Sequence, residues 1–140
     1  IKRDPIIVWL SKGNPLAQAD KLTLDMLDCV PIMTSVTDAF DYMREATETL
    51  FAAHGMVAFM KPVHFDIASP AAFFLSDFDR RAVMLTSSGM LGNAGLSARD
   101  DICWRYLEGV DTSMTVCMCA LMENQRANEF LDFTEARLED

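Results

Sequence analysis

The sequence predicts an α/β fold, a doubly wound (βα)5 sandwich around a central five-stranded parallel sheet, and three observations carry that expectation. Five short apolar runs recur at intervals of about one βα unit. The segments between them have helical periodicity and helical start signals. The runs are nearly continuous in apolar residues, as the strands of a parallel sheet covered on both faces are. With 140 residues and 51% apolar content, the pattern describes one domain spanning 1–140.

The first run, Ile6-Ile7-Val8-Trp9-Leu10, is too short for a core helix and reads as a strand. Asn14-Pro15 opens the first predicted helix, because Asn caps free amides and Pro at the first helical position has no amide to leave unpaired. Leu16, Ala19, Met26 and Val30 line one face of it, and Pro31 limits its end. Val30 to Ser35 is the second strand. Ser35 and Asp38 have capping-box spacing, and Val36, Phe40, Met43, Leu50 and Phe51 form the stripe of the second helix. His54 suits its C-terminus and Gly55 its stop. Met56 to Met60 reads as the third strand, and Ser69-Pro70 opens a third helix with Phe74, Phe78 and Ala82 in register. Ala82-Val83-Met84-Leu85-Thr86 is the fourth strand, followed by a short helix between Leu91 and Asp101. Cys103-Trp104-Arg105-Tyr106-Leu107 is the fifth. A last helix starts at Asp111-Thr112, with Met114, Cys117 and Leu121 on its apolar face, and residues 123–140 extend it as a charged final helix or linker.

Lys and Arg number 12 against 21 Asp and Glu, so the formal net charge is 12 − 21 = −9. No basic run exists to displace counterions from a duplex, which argues against direct nucleic-acid binding. The longest stretch without a formal charge, Ala82 to Ala98, is too polar and too short to cross a bilayer, so no membrane partner is expected. Cys29, Cys103, Cys117 and Cys119 lack zinc-ligand spacing and read as buried, reduced thiols of a cytoplasmic protein with no metal or cofactor. The sequence starts at Ile1 rather than at a methionine, with no basic-then-apolar leader, as a fragment of a larger chain would.

In a doubly wound sheet the working crevice lies at the carboxyl ends of the strands, which directs attention to Ser11–Gly13, Met60–Pro62, Thr86–Ser88 and Glu108–Val110. The segment from Ile6 through Ser11-Lys12-Gly13-Asn14-Pro15 resembles the opening of a response-regulator receiver domain, where the first strand ends in an acidic pair before Asn-Pro. Ala82 to Gly89 resembles the receiver's fourth strand, which ends in a Thr or Ser that binds the phosphoryl group. Trp104 to Asp111 is similar to its fifth strand with the switch aromatic. The resemblance implies a flavodoxin-like, CheY-like fold and a place in a two-component-type system. A second register is open, in which Met56 to Val63 supplies the fifth strand with its Lys61-Pro62 and Pro31 to Ser35 the fourth.

The chemistry of a receiver is missing. Phosphoryl transfer needs a carboxylate nucleophile, acidic Mg²⁺ ligands and a compensating cation. Ser11, Lys12 and Gly13 stand at the acidic-pair position, Met60 where the phosphoacceptor belongs, and Glu108-Gly109 where the family has Lys-Pro. With Thr86 they make a vestigial phosphorylation pocket, in which Lys12 and Glu108 are expected to pair and replace metal and phosphate. The expectation is a phosphorylation-independent pseudo-receiver, not an enzyme, since no nucleophile–base pair is visible. It would act through a signalling protein or an attached output domain, and through a homodimer formed by the fourth helix, fifth strand and fifth helix.

Trp104, Arg105 and Tyr106, with Met114 and Leu121, are the residues expected at that contact, Trp, Tyr and Arg being enriched at interaction hot spots. The alternative is a pseudo-receiver that senses a small anion such as a cyclic dinucleotide through Arg99, Arg105 and the loop Gly89-Met90-Leu91-Gly92-Asn93-Ala94-Gly95. His54 and His64 have no catalytic company and read as helix-terminal and loop residues.

Overall fold

The computed structural model describes residues 2–36, 41–63, 78, 80–92, 99–109 and 113–116. Strand β1 (Lys2–Ser11) is the spine of a mixed sheet. The others are β2 (Leu22–Thr23), β3 (Ile32–Ser35), β4 (Met60–Val63), β5 (Val83–Ser87), β6 (Ile102–Glu108) and β7 (Ser113–Val116). Their spatial order is β2-β6-β1-β5-β3-β4, with β7 paired to the first half of β1. Helix α1 (Asp41–Ala53) joins β3 to β4 and is the one α-helix among the described residues.

The predicted five-stranded parallel sheet is overturned by strand direction. β1 runs antiparallel to both neighbours, with Val8 opposite Leu85 of β5 on one side and Arg105 of β6 on the other. Among the described residues, parallel pairing is confined to β3 with β4, β3 with β5, and β2 with β6. The apolar runs misled because burial on both faces sets composition whichever way a strand points. Alternation along β1 sends Ile6, Val8 and Leu10 to one core, with Leu22, Leu24, Leu27, Ile32, Phe51, Val83, Leu85 and Leu107. Ile7 and Trp9 face the other core, with Met33, Phe78, Ala82, Met84 and Ile102. Ile7, Val8 and Leu10 are wholly buried.

The first predicted helix is also corrected. Asn14 does cap a turn, its Oδ1 accepting from the Leu16 amide at 2.9 Å, but the turn is a 3-10 helix of Pro15–Gln18 that stops at extended Ala19. β2 and a second 3-10 helix, Leu24–Leu27, follow. Arg105 decides this from across the sheet: its Nη2 donates to the Ala17 carbonyl at 2.7 Å and its Nε to the Ala19 carbonyl. Those are the acceptors a continuing α-helix needs for amides four residues on. Met26, placed on the expected apolar stripe, is 38% exposed.

The third predicted strand lies four residues later than expected, as β4, and among the described residues it pairs with β3. The register that made Lys61-Pro62 a receiver's Lys-Pro fails because β5, later in the chain, continues the same sheet on the other side of β3. A 3-10 helix, Ser88–Gly92, overlaps the start of the short fourth helix expected between Leu91 and Asp101, and residues 93–98 of that span lie outside the described residues. The start of the last helix is strand β7, with Met114 opposite Asp4. Ser69-Pro70, Phe74, His64, Cys117, Cys119, Leu121 and residues 123–140 lie outside the described residues. The second helix is present as Asp41–Ala53 with Phe51 of its stripe buried, but Val36 lies before it and is 40% exposed, and Asp38 and Phe40 lie outside the described residues. His54 Nδ1 lies 2.9 Å from the Leu50 carbonyl, and Gly55 takes φ +71°, the left-handed stop that glycine adopts without strain.

Candidate functional site

Because β3, β4 and β5 are parallel, their carboxyl ends lie at one end of the sheet, and the amino end of α1 follows β3 there. β1 is antiparallel and contributes its first residues to the same end. Buried polar side chains concentrate at this end: Asp4 on β1, Ser35 on β3 and Thr86 on β5 are 6%, 3% and 1% exposed. Thr47 of α1 is buried close by, its hydroxyl donating to the Met43 carbonyl at 2.8 Å, and with Thr34, Ser35 and Met43 it lines a small cavity between helix and strands. Buried polar groups are kept only where they find partners. Thr86 Oγ1 accepts from the Trp9 indole at 2.9 Å and donates to the Ser87 carbonyl at 3.3 Å. Ser87 Oγ donates to Asp4 Oδ2 at 3.0 Å and accepts from the Gly89 amide at 3.0 Å. A Cβ at position 89 would lie 2.8 Å from Asp4 Oδ2, so the chain needs glycine there for close approach.

An open groove of about 790 Å³ follows β6, lined by Trp9, Leu91, Ile102, Trp104 and Tyr106 on one side of the strand and by Cys103, Arg105 and Asp20 on the other. Trp104 and Tyr106 are exposed and meet edge to face, ring centroids 5.2 Å apart. Arg99 forms a two-pronged contact with Asp101, 2.9 and 2.6 Å, and its guanidinium lies 5.5 Å from the Phe78 ring centroid. The Arg99 hydrogen bond holds the Asp101 carboxyl below the usual carboxylate range. Arg105 is committed to the backbone of Ala17, Ala19 and Trp104.

The residues of the vestigial pocket are divided between the two ends of the sheet. Ser11, Lys12, Gly13 and Met60 sit at the end where β1 finishes and β4 begins, while Thr86, Glu108 and Gly109 sit at the other. Antiparallel β1 is the reason, since it carries its carboxyl end away from that of β5. Lys12 and Glu108 are therefore not brought together. Glu108 Oε1 instead bonds Lys21 Nζ at 2.5 Å, which raises the lysine's pKa, and the Lys12 amide donates to the Asp101 carbonyl at 2.9 Å.

Cys29, expected to be buried, is exposed with φ 58°, and Cys103 is half-buried; both are free thiols. Among the described residues no group of three or more His, Cys, Asp or Glu is placed to hold a metal ion. No helix among them is long and apolar enough to cross a membrane.

Ser87 falls within the strand end Thr86–Ser88 to which the sequence directs attention, but Asp4 is not singled out by the sequence. The signal was present: Asp4 shares the face of Ile6, Val8 and Leu10, and an acid in register with an apolar face is either exposed or partnered.

No protein-family model and no curated protein matches this chain. Solved structures do. The regulatory domain of CcmR from Synechocystis, in complex with 2-PG, has TM-score 0.62 and 16% identity over 96% of this chain and 62% of that one. The effector-binding domain of QuiR, in complex with shikimate, has TM-score 0.62 and 11% identity over the same shares, 96% and 62%. Full-length CbnR in complex with its target DNA has TM-score 0.57 and 16% identity over 81% of this chain and 35% of that one. CbnR is described as a LysR family transcriptional regulator.

The fold is that of a LysR-type effector-binding domain. The receiver resemblance is thereby corrected, and with it the pseudo-receiver role, the two-component system and the pseudo-receiver that senses a cyclic dinucleotide. The antiparallel β1 does not fit the five-stranded parallel sheet that the receiver resemblance implied. This chain spans from 35% to 62% of the three chains compared above.

Proposed function

We propose that this chain is the ligand-sensing part of a transcriptional regulator and that it binds a small organic anion, without catalysing a reaction, at the carboxyl ends of β3 and β5. One observation carries the reading: buried polar side chains, Asp4, Ser35 and Thr86, gather where the parallel strands end and α1 begins. A crevice at the carboxyl ends of parallel strands is where sheets of this kind hold ligands, and the positive end of a helix dipole favours an anion there. The neighbours bound to 2-PG and shikimate support it. Contact with DNA, seen for full-length CbnR, falls in the whole protein to segments other than this acidic domain of net charge −9.

Titration calorimetry with a panel of small carboxylates and phosphate esters tests the reading. At least one is expected to bind, and Ser35→Ala to weaken it by about threefold to tenfold, the effect of one hydrogen bond. A panel in which nothing binds, with a melting temperature that no member raises, overturns it.

A further inference from the structure

We infer that the ligand presents a hydrogen-bond donor, a hydroxyl or an ammonium, to Ser87 at the carboxyl end of β5, and that Asp4 is the positioning residue that imposes this. The inference rests on the ligand-sensing reading above and adds the class of ligand. It follows from an inventory of protons. A serine hydroxyl has one proton and two lone pairs. The proton of Ser87 goes to Asp4 Oδ2 at 3.0 Å. One lone pair takes the Gly89 amide at 3.0 Å. What Ser87 can still offer is a second lone pair, so this half-buried hydroxyl is an acceptor.

The neighbouring hydroxyl does not relax the requirement. Thr86 Oγ1 is 1% exposed, takes the Trp9 indole proton and gives its own to the Ser87 carbonyl. Gly89 closes the arrangement: its missing Cβ admits the Asp4 carboxylate, which a larger residue would displace from Ser87. A plain carboxylate oriented toward Ser87 would set lone pair against lone pair. A hydroxy acid or amino acid, with its carboxylate toward α1 and its donor toward Ser87, satisfies both ends of the site.

Two measurements test this separately from the reading on which it rests. The first needs no ligand. Amide hydrogen exchange at Gly89 is expected to quicken about threefold to tenfold in Ser87→Ala, and an unchanged rate would overturn the relay. The second uses matched probes, glycolate against acetate and glycerate against propionate, measured by calorimetry on the wild type and on Asp4→Asn. The wild type is expected to prefer each hydroxy acid. Asp4→Asn, whose amide can donate to Ser87 Oγ and release the hydroxyl proton toward the ligand, is expected to cut that preference about tenfold while total affinity for the better probe changes less. Equal preference in the wild type, or equal losses for both members of a pair in Asp4→Asn, overturns the inference. Absence of binding by every probe and every member of the wider panel, with Gly89 exchange behaving as expected, overturns ligand sensing and leaves the relay standing.

Discussion

At the residue scale, individual polar groups set the local choices. Asn14 is 3% exposed and caps the Leu16 amide with Oδ1, but its Nδ2 finds no partner among the described residues. An unpaired buried donor costs about 1–3 kcal/mol, comparable to the worth of the cap. Asn14→Ser keeps an oxygen for the cap and removes the orphaned donor, so its midpoint in urea is expected at or above that of the wild type, with Asn14→Ala below Asn14→Ser. The reverse order would show that the amide has a partner in solution.

The Arg99 contact makes a second prediction at this scale. A carboxyl whose pKa is lowered on folding contributes stability above its unfolded pKa and loses it as pH falls through the folded one. The Asp101 carboxyl is therefore expected to titrate by NMR below an ordinary aspartate and to move back up in Arg99→Gln. For Lys21, raised by Glu108, the sign is opposite, and its contribution disappears at alkaline pH. Both are surface pairs of small energetic weight.

At the scale of elements, one side chain holds a whole segment in its form. The Arg105 fork ties the 3-10 turn after β1 to strand β6 through the Ala17 and Ala19 carbonyls. Arg105→Met retains much of the stem and leaves both carbonyls short of a donor, at a cost of about 2–4 kcal/mol. Arg105→Lys recovers only part of it, because an ammonium does not span two carbonyls as a planar fork does. Thermal melts of the pair check the order. In the spine strand, Trp9 is 2% exposed and its indole is a partner of Thr86. Trp9→Ala is expected to cost about 3–5 kcal/mol from the cavity alone, and Trp9→Phe less, with Thr86 left short of a donor. A loss below about 1 kcal/mol for Trp9→Ala would mean that the two cores do not depend on this ring.

At the scale of the whole molecule, the sheet is buried in the middle and thin at its β4 edge. β1 pairs on both sides and is covered on both faces, so its amides are expected to exchange slowest, at the rate of global unfolding. Among the described residues β4 pairs only with β3, carries Pro62 and follows exposed Val57 and Phe59, 85% and 56% accessible, so its amides should exchange faster. Proline at an edge also discourages another strand from pairing there. Equal protection of β1 and β4 would contradict this hierarchy. The sequence by itself determined where most strands lie. Runs at 6–10, 30–35, 82–86 and 103–107 fall within a residue or two of β1, β3, β5 and β6, apart from the polar first half of β1, because apolar side chains mark burial directly. It also determined helix α1 through its stripe and its His54-Gly55 end. Strand direction, by contrast, was decided by the tertiary structure, since a strand covered on both faces has the same composition either way. So was the conversion of the first expected helix into single turns, which hangs on Arg105 some 86 to 88 residues away. The candidate site follows from direction: only when β1 is turned against β5 do Asp4 and Ser87, 83 residues apart, meet at the carboxyl ends of the parallel strands. Local periodicity reports which faces are buried, and it carries no information about which distant strand ends share a crevice.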